Sequence, residues 1–501
     1  MRKGIISVLL LLFSFGAAYA ANVSPLPYGI NVHQVGNNVL KKVVDAGITW
    51  IRTGAHWSAV EIQKGIYDWT QVDRVVNYAH SNGLSILLMI GYTPGWANGN
   101  KGINYPPDNV ADWENFVRLT VNRYKSQVKY WGIWNEPNFI DFFALGKDVY
   151  VEKVFLPAAR VIRDTDPAAF IVGPGLAHLV SLNEEWYFWM KYILTQAPEY
   201  IDIVSHHIYK NEGVFYIYNL LENGEDFIPS VREIVEETGH GLKPFWITET
   251  GWNTREFSEN EQADRYLAML QERQNKSYPD KIFFYEIIDD PTPGIDPWGI
   301  LRSDLSEKPA YNVYKDFIAG KNTNGGGNGN GNGDDNKKKC FAERVTPGKG
   351  GGGRSQVLSH LRDFRAGLKN LSPAAQKLVR LYNDANEEFL HVSLNDSRIY
   401  RLGVELIDWA DRFVTRHKED YLNQKLEEST TAKIERLLAL LKEKELPASL
   451  RDLVAWGERQ IGLIKGETLG DYFLHHLNAE IQRLSWDNSR KPPSCLLSTE
   501  R

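Results

Sequence analysis

Along the first 320 or so positions, short, mainly apolar strand-like runs alternate with longer stretches in which apolar side chains recur every three or four residues. A run of the first kind suits a strand buried on both faces, and the second spacing suits one face of a helix. Eight strands are predicted in this way: Tyr28 to His33, Trp50 to His56, Ser85 to Tyr92, Tyr130 to Trp134, Phe170 to Gly173, Ile201 to Tyr209, Phe245 to Thr250 and Lys281 to Ile288. Between the third and fourth, Trp113, Phe116, Val117, Thr120, Val121 and Tyr124 fall on one helical face. Strictly alternating strands and helices predict an α/β protein with a parallel sheet. Eight strands suit a closed (β/α)8 TIM barrel. An open doubly wound sheet usually carries a glycine-rich phosphate turn after its first strand, whereas here that strand runs into Asn31-Val32-His33-Gln34.

The texture changes after Lys321. Asn322 to Asp335 is almost wholly Gly, Asn and Asp, and a second glycine tract spans Gly348 to Gly353. Such composition neither packs nor holds one conformation, so 322–353 reads as a flexible linker. Residues 354–501 read as a small all-α helical domain: Ile434, Leu437, Leu438 and Leu441 form one apolar stripe, and Leu450, Leu453, Val454, Ile461 and Ile464 continue it beyond Pro447. Its tether suggests protein interaction or envelope attachment. Its histidines, His360, His391, His417, His475 and His476, lack a repeated metal-ligand spacing, so no metal is expected.

Residues 1–20 carry Arg2 and Lys3, an apolar run from Ile5 to Phe15, and Ala18-Tyr19-Ala20. This is the layout of a signal peptide cleaved before Ala21, and predicts a secreted or periplasmic protein. The run falls short of the roughly 20 residues that cross a bilayer, and no later segment is apolar enough, so no membrane span is expected. Export would permit a disulfide between Cys340 and Cys495, the only cysteines, without establishing one.

The barrel, 21–321, is where chemistry is expected. A formal charge of -6 lacks the basic excess of a nucleic-acid binder. In a (β/α)8 barrel the working side chains stand at the C-terminal ends of the strands. Strand four ends in Trp134-Asn135-Glu136-Pro137, and strand seven in Thr248-Glu249-Thr250. Two glutamates at one mouth fit glycosidic bond cleavage, which needs a proton donor and a carboxylate and no cofactor. Carboxyl groups about 5–5.5 Å apart give retention and about 6.5–9.5 Å inversion, a choice the sequence leaves open. Pro137 should bias Glu136 toward an extended backbone.

The segments WGIWNEPN (Trp131 to Asn138) and WITETGW (Trp246 to Trp252) resemble those of the clan A (β/α)8 glycoside hydrolases. The resemblance spans roughly Tyr28 to Ile318 and is nearest to glycoside hydrolase family 39 and its exopolysaccharide-degrading relatives. It implies a retaining β-glycosidase acting on a β-linked oligo- or polysaccharide, with Glu136 as acid/base and Glu249 as nucleophile. It further implies that Asn135 binds the sugar 2-hydroxyl, Arg52 keeps the nucleophile ionised, His207 lines the subsite and Tyr209 hydrogen-bonds Glu249. Strand alternation points His206 the other way, so it reads as structural. Tyr92-Thr93-Pro94-Gly95-Trp96 looks like the corresponding strand-three ending. Two positions depart from the pattern: Tyr285 stands where many clan members have a tryptophan under the sugar, and Gly91-Tyr92 replaces a pair of histidines found in some relatives. Trp57, Trp96, Trp252 and Trp298 follow strand ends and are expected either to stack on sugar or to pack the core. His33 either reaches the sugar or is a buried, hydrogen-bonded histidine. A transglycosylase using the same residues and a non-catalytic carbohydrate-binding barrel are the alternatives. Cys340-Phe341 faintly resembles the start of a C-terminal module on exported bacterial proteins.

Overall fold

The computed structural model describes residues 26–321, apart from 34, 181–184, 226–227 and 277, and parts of 392–461. The expected signal peptide, linker and both cysteines lie outside the described residues. Eight parallel strands close into a barrel in chain order: β1 Tyr28–Asn31, β2 Trp50–His56, β3 Ser85–Gly91, β4 Tyr130–Ile133, β5 Phe170–Leu176, β6 Ile203–His207, β7 Phe245–Thr250 and β8 Lys281–Phe284. The chain is thus a (β/α)8 barrel, with helices between its strands. The ring closes where β1 pairs with β8, Gly29 opposite Phe283. A Cβ at Gly29 would stand 2.6 Å from the Phe283 ring, so the seam requires glycine there.

All eight predicted strands are present, β2 and β7 with the predicted bounds and the others with shifted ends. Strand β5 runs on to Leu176, while β6 stops at His207 and β8 at Phe284, leaving Tyr209, Tyr285 and Glu286 beyond the ladder. The β6–β7 register shifts at His206/His207, so that His207 lies opposite Glu249. Such an irregularity re-aims side chains at a barrel rim.

Aromatic rings plug the other end. Trp50 and Tyr130 meet at 4.9 Å, Tyr130 and Phe170 stack at 5.0 Å, and Trp246 packs on Trp50 at 5.3 Å. These residues begin or nearly begin their strands, so they form the floor, and the pocket opens at the strands' C-terminal ends. Outside the sheet, helix Val110–Tyr124 buries Trp113, Phe116, Val117, Thr120, Val121 and Tyr124, the predicted face. Trp57 stacks on Phe116 at 5.7 Å and is fully buried. Trp57→Ala should cost about 3–5 kcal/mol, read as a lower urea midpoint.

Helix Glu428–Lys442 buries Ile434, Leu437, Leu438 and Leu441, the predicted stripe. Among the described residues no helix is long and apolar enough to cross a membrane.

Candidate active site

Glu249, at the end of β7, is held on both oxygens. Arg52 Nη1 donates to Oε1 at 2.5 Å, and Tyr209 Oη donates to Oε2 at 2.8 Å. The Arg52 fork is itself fixed: Nη1 also reaches Asn31 Oδ1 at 2.8 Å, and Nη2 reaches Asn135 Oδ1 at 2.7 Å. Asn31, at the end of β1, anchors the arginine by donating to the carbonyls of Thr248 and Phe284, both at 3.1 Å. Burial pushes the Glu249 carboxyl up, but His207, Arg52 and the Tyr209 hydrogen bond outweigh it and hold it below the usual range. Arg52→Met should therefore raise the acid limb of the kcat/KM profile, because ionised Glu249 loses its cation and is protonated at higher pH. A limb left in place would remove Arg52 from that role.

Glu136 lies beyond the end of β4, with Oε1 2.7 Å from Nδ1 of the fully buried His207. The same Nδ1 is 3.6 Å from Glu249 Oε1. Ligand atoms of Glu136, His207 and Glu249 all lie within 4.8 Å of one another, so the imidazole bonds one carboxyl group and stands close to the other. Three such groups have the donor types of a metal site. Both Glu249 oxygens, however, are committed to Arg52 and Tyr209, and the guanidinium already supplies the positive charge.

The backbone around Glu136 corrects the expectation drawn from Pro137. Glu136 has φ 42, in the left-handed region, as do Trp134 at φ 67 and Tyr92 at φ 66. Proline disfavours the right-handed helical region for the residue before it, and a positive φ also avoids that region. Tertiary hydrogen bonds decide between the alternatives: Glu136 N–H donates to Gly175 O at 3.0 Å, and Trp134 N–H to Ile90 O at 2.7 Å. Left-handed non-glycine residues cost about 1–3 kcal/mol each and persist where surroundings enforce them, commonly at functional sites. Gly175 itself has φ 62, and a Cβ there would point at His207 Nε2 from 3.6 Å.

The remaining expected residues divide. His33 is at the mouth with its side chain 58% exposed, which sets aside the buried-histidine alternative. Its Nε2 lies 3.2 Å from Tyr285 Oη and 3.3 Å from Glu286 Oε2. Trp298 stands edge-on to Tyr209 at 5.2 Å and to Tyr285 at 6.0 Å, so it borders the site. Trp57 and Trp252 are fully buried, which corrects their reading as sugar platforms. Their loops fold the rings inward, where Trp57 Nε1 bonds Glu61 at 2.7 Å and Trp252 Nε1 bonds Lys210 O at 2.9 Å. Half-buried Trp96 bonds Glu61 O at 2.7 Å and packs on Trp57, tying two loops together. His206 turns away from the carboxylates, its Nε2 2.9 Å from His178 Nδ1.

Three site residues escaped the sequence reading: Asn31, His56 and Glu286. Each is a single polar residue at a strand exit, the only signal available. His56 packs edge-on against Tyr92 at 4.8 Å, and burial, then His33 and Arg52, lower it to about 4, leaving the ring neutral. Glu286 is raised to about 8 by burial and then by Glu249, Asp290 and Asp289. It is protonated at neutral pH, and its ionisation would set a second negative charge near Glu249. Glu286→Gln should remove an inflection near pH 8 from the kcat/KM profile.

A closed parallel barrel with a glutamate at the exits of strands four and seven resembles the layout of the clan A glycoside hydrolases. Residues 38–271 match the sequence model of the family described as Glycosyl hydrolases family 39, and the barrel is family 39-like. The chain is similar to a β-xylosidase of Geobacillus stearothermophilus, 23% identical over 210 residues, covering 37% of this chain and 41% of that protein. A β-xylosidase of Caldicellulosiruptor saccharolyticus is 25% identical over 206 residues, with the same coverage. The chain thus spans about two-fifths of the length of these curated relatives. Among solved structures, a family 39 glycoside hydrolase from Bacteroides cellulosilyticus WH2 aligns with a TM-score of 0.47 at 22% identity, covering 59% of this chain and 63% of that one.

Proposed function

We propose that the barrel hydrolyses a β-linked oligo- or polysaccharide with retention of configuration. The observation that carries this is the asymmetric pair of carboxyl groups: Glu249 is bound by Arg52 and Tyr209, while Glu136 bonds only His207 among these groups. A lowered carboxyl stays ionised and can attack, and close spacing leaves too little room between the groups for the water that inversion needs.

In the first step Glu249 forms a bond to the anomeric carbon as the glycosidic C–O bond breaks, and Glu136 transfers its proton to the departing oxygen. The hydrogen bonds from Tyr209 and Arg52 to Glu249 weaken as its negative charge falls. In the second step Glu136, now a carboxylate, takes a proton from water, the water oxygen bonds the anomeric carbon, and Glu249 leaves as the carboxylate. Asn135, oriented by Arg52, is placed to bind a sugar hydroxyl while this happens. The names of the relatives, both β-xylosidases, put aryl β-xylosides and xylo-oligosaccharides first in a substrate panel. Export through the N-terminal segment is part of the same reading.

Proton NMR of the first-formed product tests it. A β-anomer appearing before mutarotation is expected, and an α-anomer would exclude the double displacement.

A further inference from the structure

We infer that the barrel floor is a docking surface for this chain's own post-linker segment, Ser393 to Leu402, and holds it by non-covalent contacts. The segment lies well beyond the Gly/Asn-rich stretch, within residues whose sequence pattern groups them with the helical region, yet its described residues pack as one unit with the barrel.

The contact is built from both sides. Asp396 starts a helical turn: its Oδ1 accepts from Arg398 N at 3.0 Å, and its carbonyl accepts from Tyr400 N at 3.1 Å. That turn is seated under the N-terminal ends of β5 and β6. Ser397 N–H donates to Ala168 O at 2.9 Å, and Ser397 Oγ to Pro167 O at 3.3 Å. Tyr400 packs edge-on against Phe170, a floor residue, at 5.6 Å. Arg401 Nη1 donates to Asp202 Oδ1 at 2.9 Å, and Nη2 to Pro167 O at 3.2 Å. The barrel prepares Asp202 for this: its other oxygen accepts from Arg163 Nη2 at 2.5 Å and Ile171 N at 2.8 Å, leaving Oδ1 for the second guanidinium. Ser393, Asp396, Ser397, Ile399, Tyr400 and Leu402 are all buried. Apolar residues, a capped turn and an arginine aimed at a fully buried carboxylate are the features of an interface core. The mouth is at the opposite end of the strands, so this attachment leaves substrate access clear. It also means that cutting the linker would not free the chain beyond it.

The test uses the full chain with a protease site introduced between Asn322 and Asp335 and cleaved after folding. The two fragments should co-elute from a sizing column at micromolar concentration. They should separate when Tyr400→Ala and Arg401→Glu are combined, with turnover by the barrel fragment unchanged. Separation of the parent fragments, or equally tight association of the variant ones, overturns the inference. Hydrogen exchange on the uncut parent decides the matter if the variant misfolds. Ser397 N–H opens its helical turn and has no intrahelical partner, so its only described protection is Ala168 O. Exchange at least about tenfold slower than for an unstructured amide is expected. Exchange at the unstructured rate would contradict docking.

Discussion

Glu249→Gln is expected to lower kcat/KM for any β-glycoside by about 10⁴-fold or more, a loss of at least about 5 kcal/mol in transition-state stabilisation. The amide keeps the shape of the carboxylate and still accepts from Arg52 and donates near Tyr209, so the protein should remain folded. What disappears is the proposed nucleophile, and with it the proposed covalent intermediate. Glu249→Ala is the less informative change, because it strands a buried guanidinium, a loss that in comparable buried pairs costs about 3–5 kcal/mol of stability. Circular dichroism alongside steady-state kinetics separates the two effects.

The second large effect is at Glu136. Glu136→Ala should slow hydrolysis of unactivated glycosides by about 10²–10⁴-fold, the usual worth of a positioned acid/base. A substrate whose leaving group needs no proton should lose far less in the first step, so the glycosyl-enzyme accumulates and a burst appears. Azide, which needs no general base, should then restore turnover and give the β-glycosyl azide. If azide leaves a folded variant unchanged, Glu136 is not the acid/base.

The barrel was legible for a physical reason. Parallel strands are covered on both faces, so they print as mainly apolar runs, and all eight were recoverable, two with the predicted bounds and the others with ends displaced by a few residues. The two glutamates were legible because strand exits are where barrels place chemistry. Arg52, Asn135, His207 and Tyr209 were reached through their resemblance to a family pattern, and the structure brings all four within hydrogen-bonding range of the two glutamates or of each other. Asn31 and Glu286 were missed because one polar residue ending an apolar run is common, and the carbonyls that anchor Asn31 and the histidine that meets Glu286 are more than two hundred positions away. Trp57 and Trp252 were equally open to sugar stacking and core packing, since a ring's direction depends on the path of its loop. The backbone of Glu136 was misread because a carbonyl on the next strand, at Gly175, selects its φ. Local sequence constrained which conformations were available, and tertiary hydrogen bonds chose among them.

The proposed covalent step can be tested directly with a 2-deoxy-2-fluoro β-glycoside carrying a dinitrophenolate leaving group. The fluorine destabilises both oxocarbenium-like transition states, and the good leaving group keeps the first step fast enough for the intermediate to build up. Intact mass followed by peptide mapping should show one glycosyl unit, carried by Glu249. Label on Glu136 or Glu286, or turnover of the parent glycoside with inversion and no label at all, would contradict the double displacement.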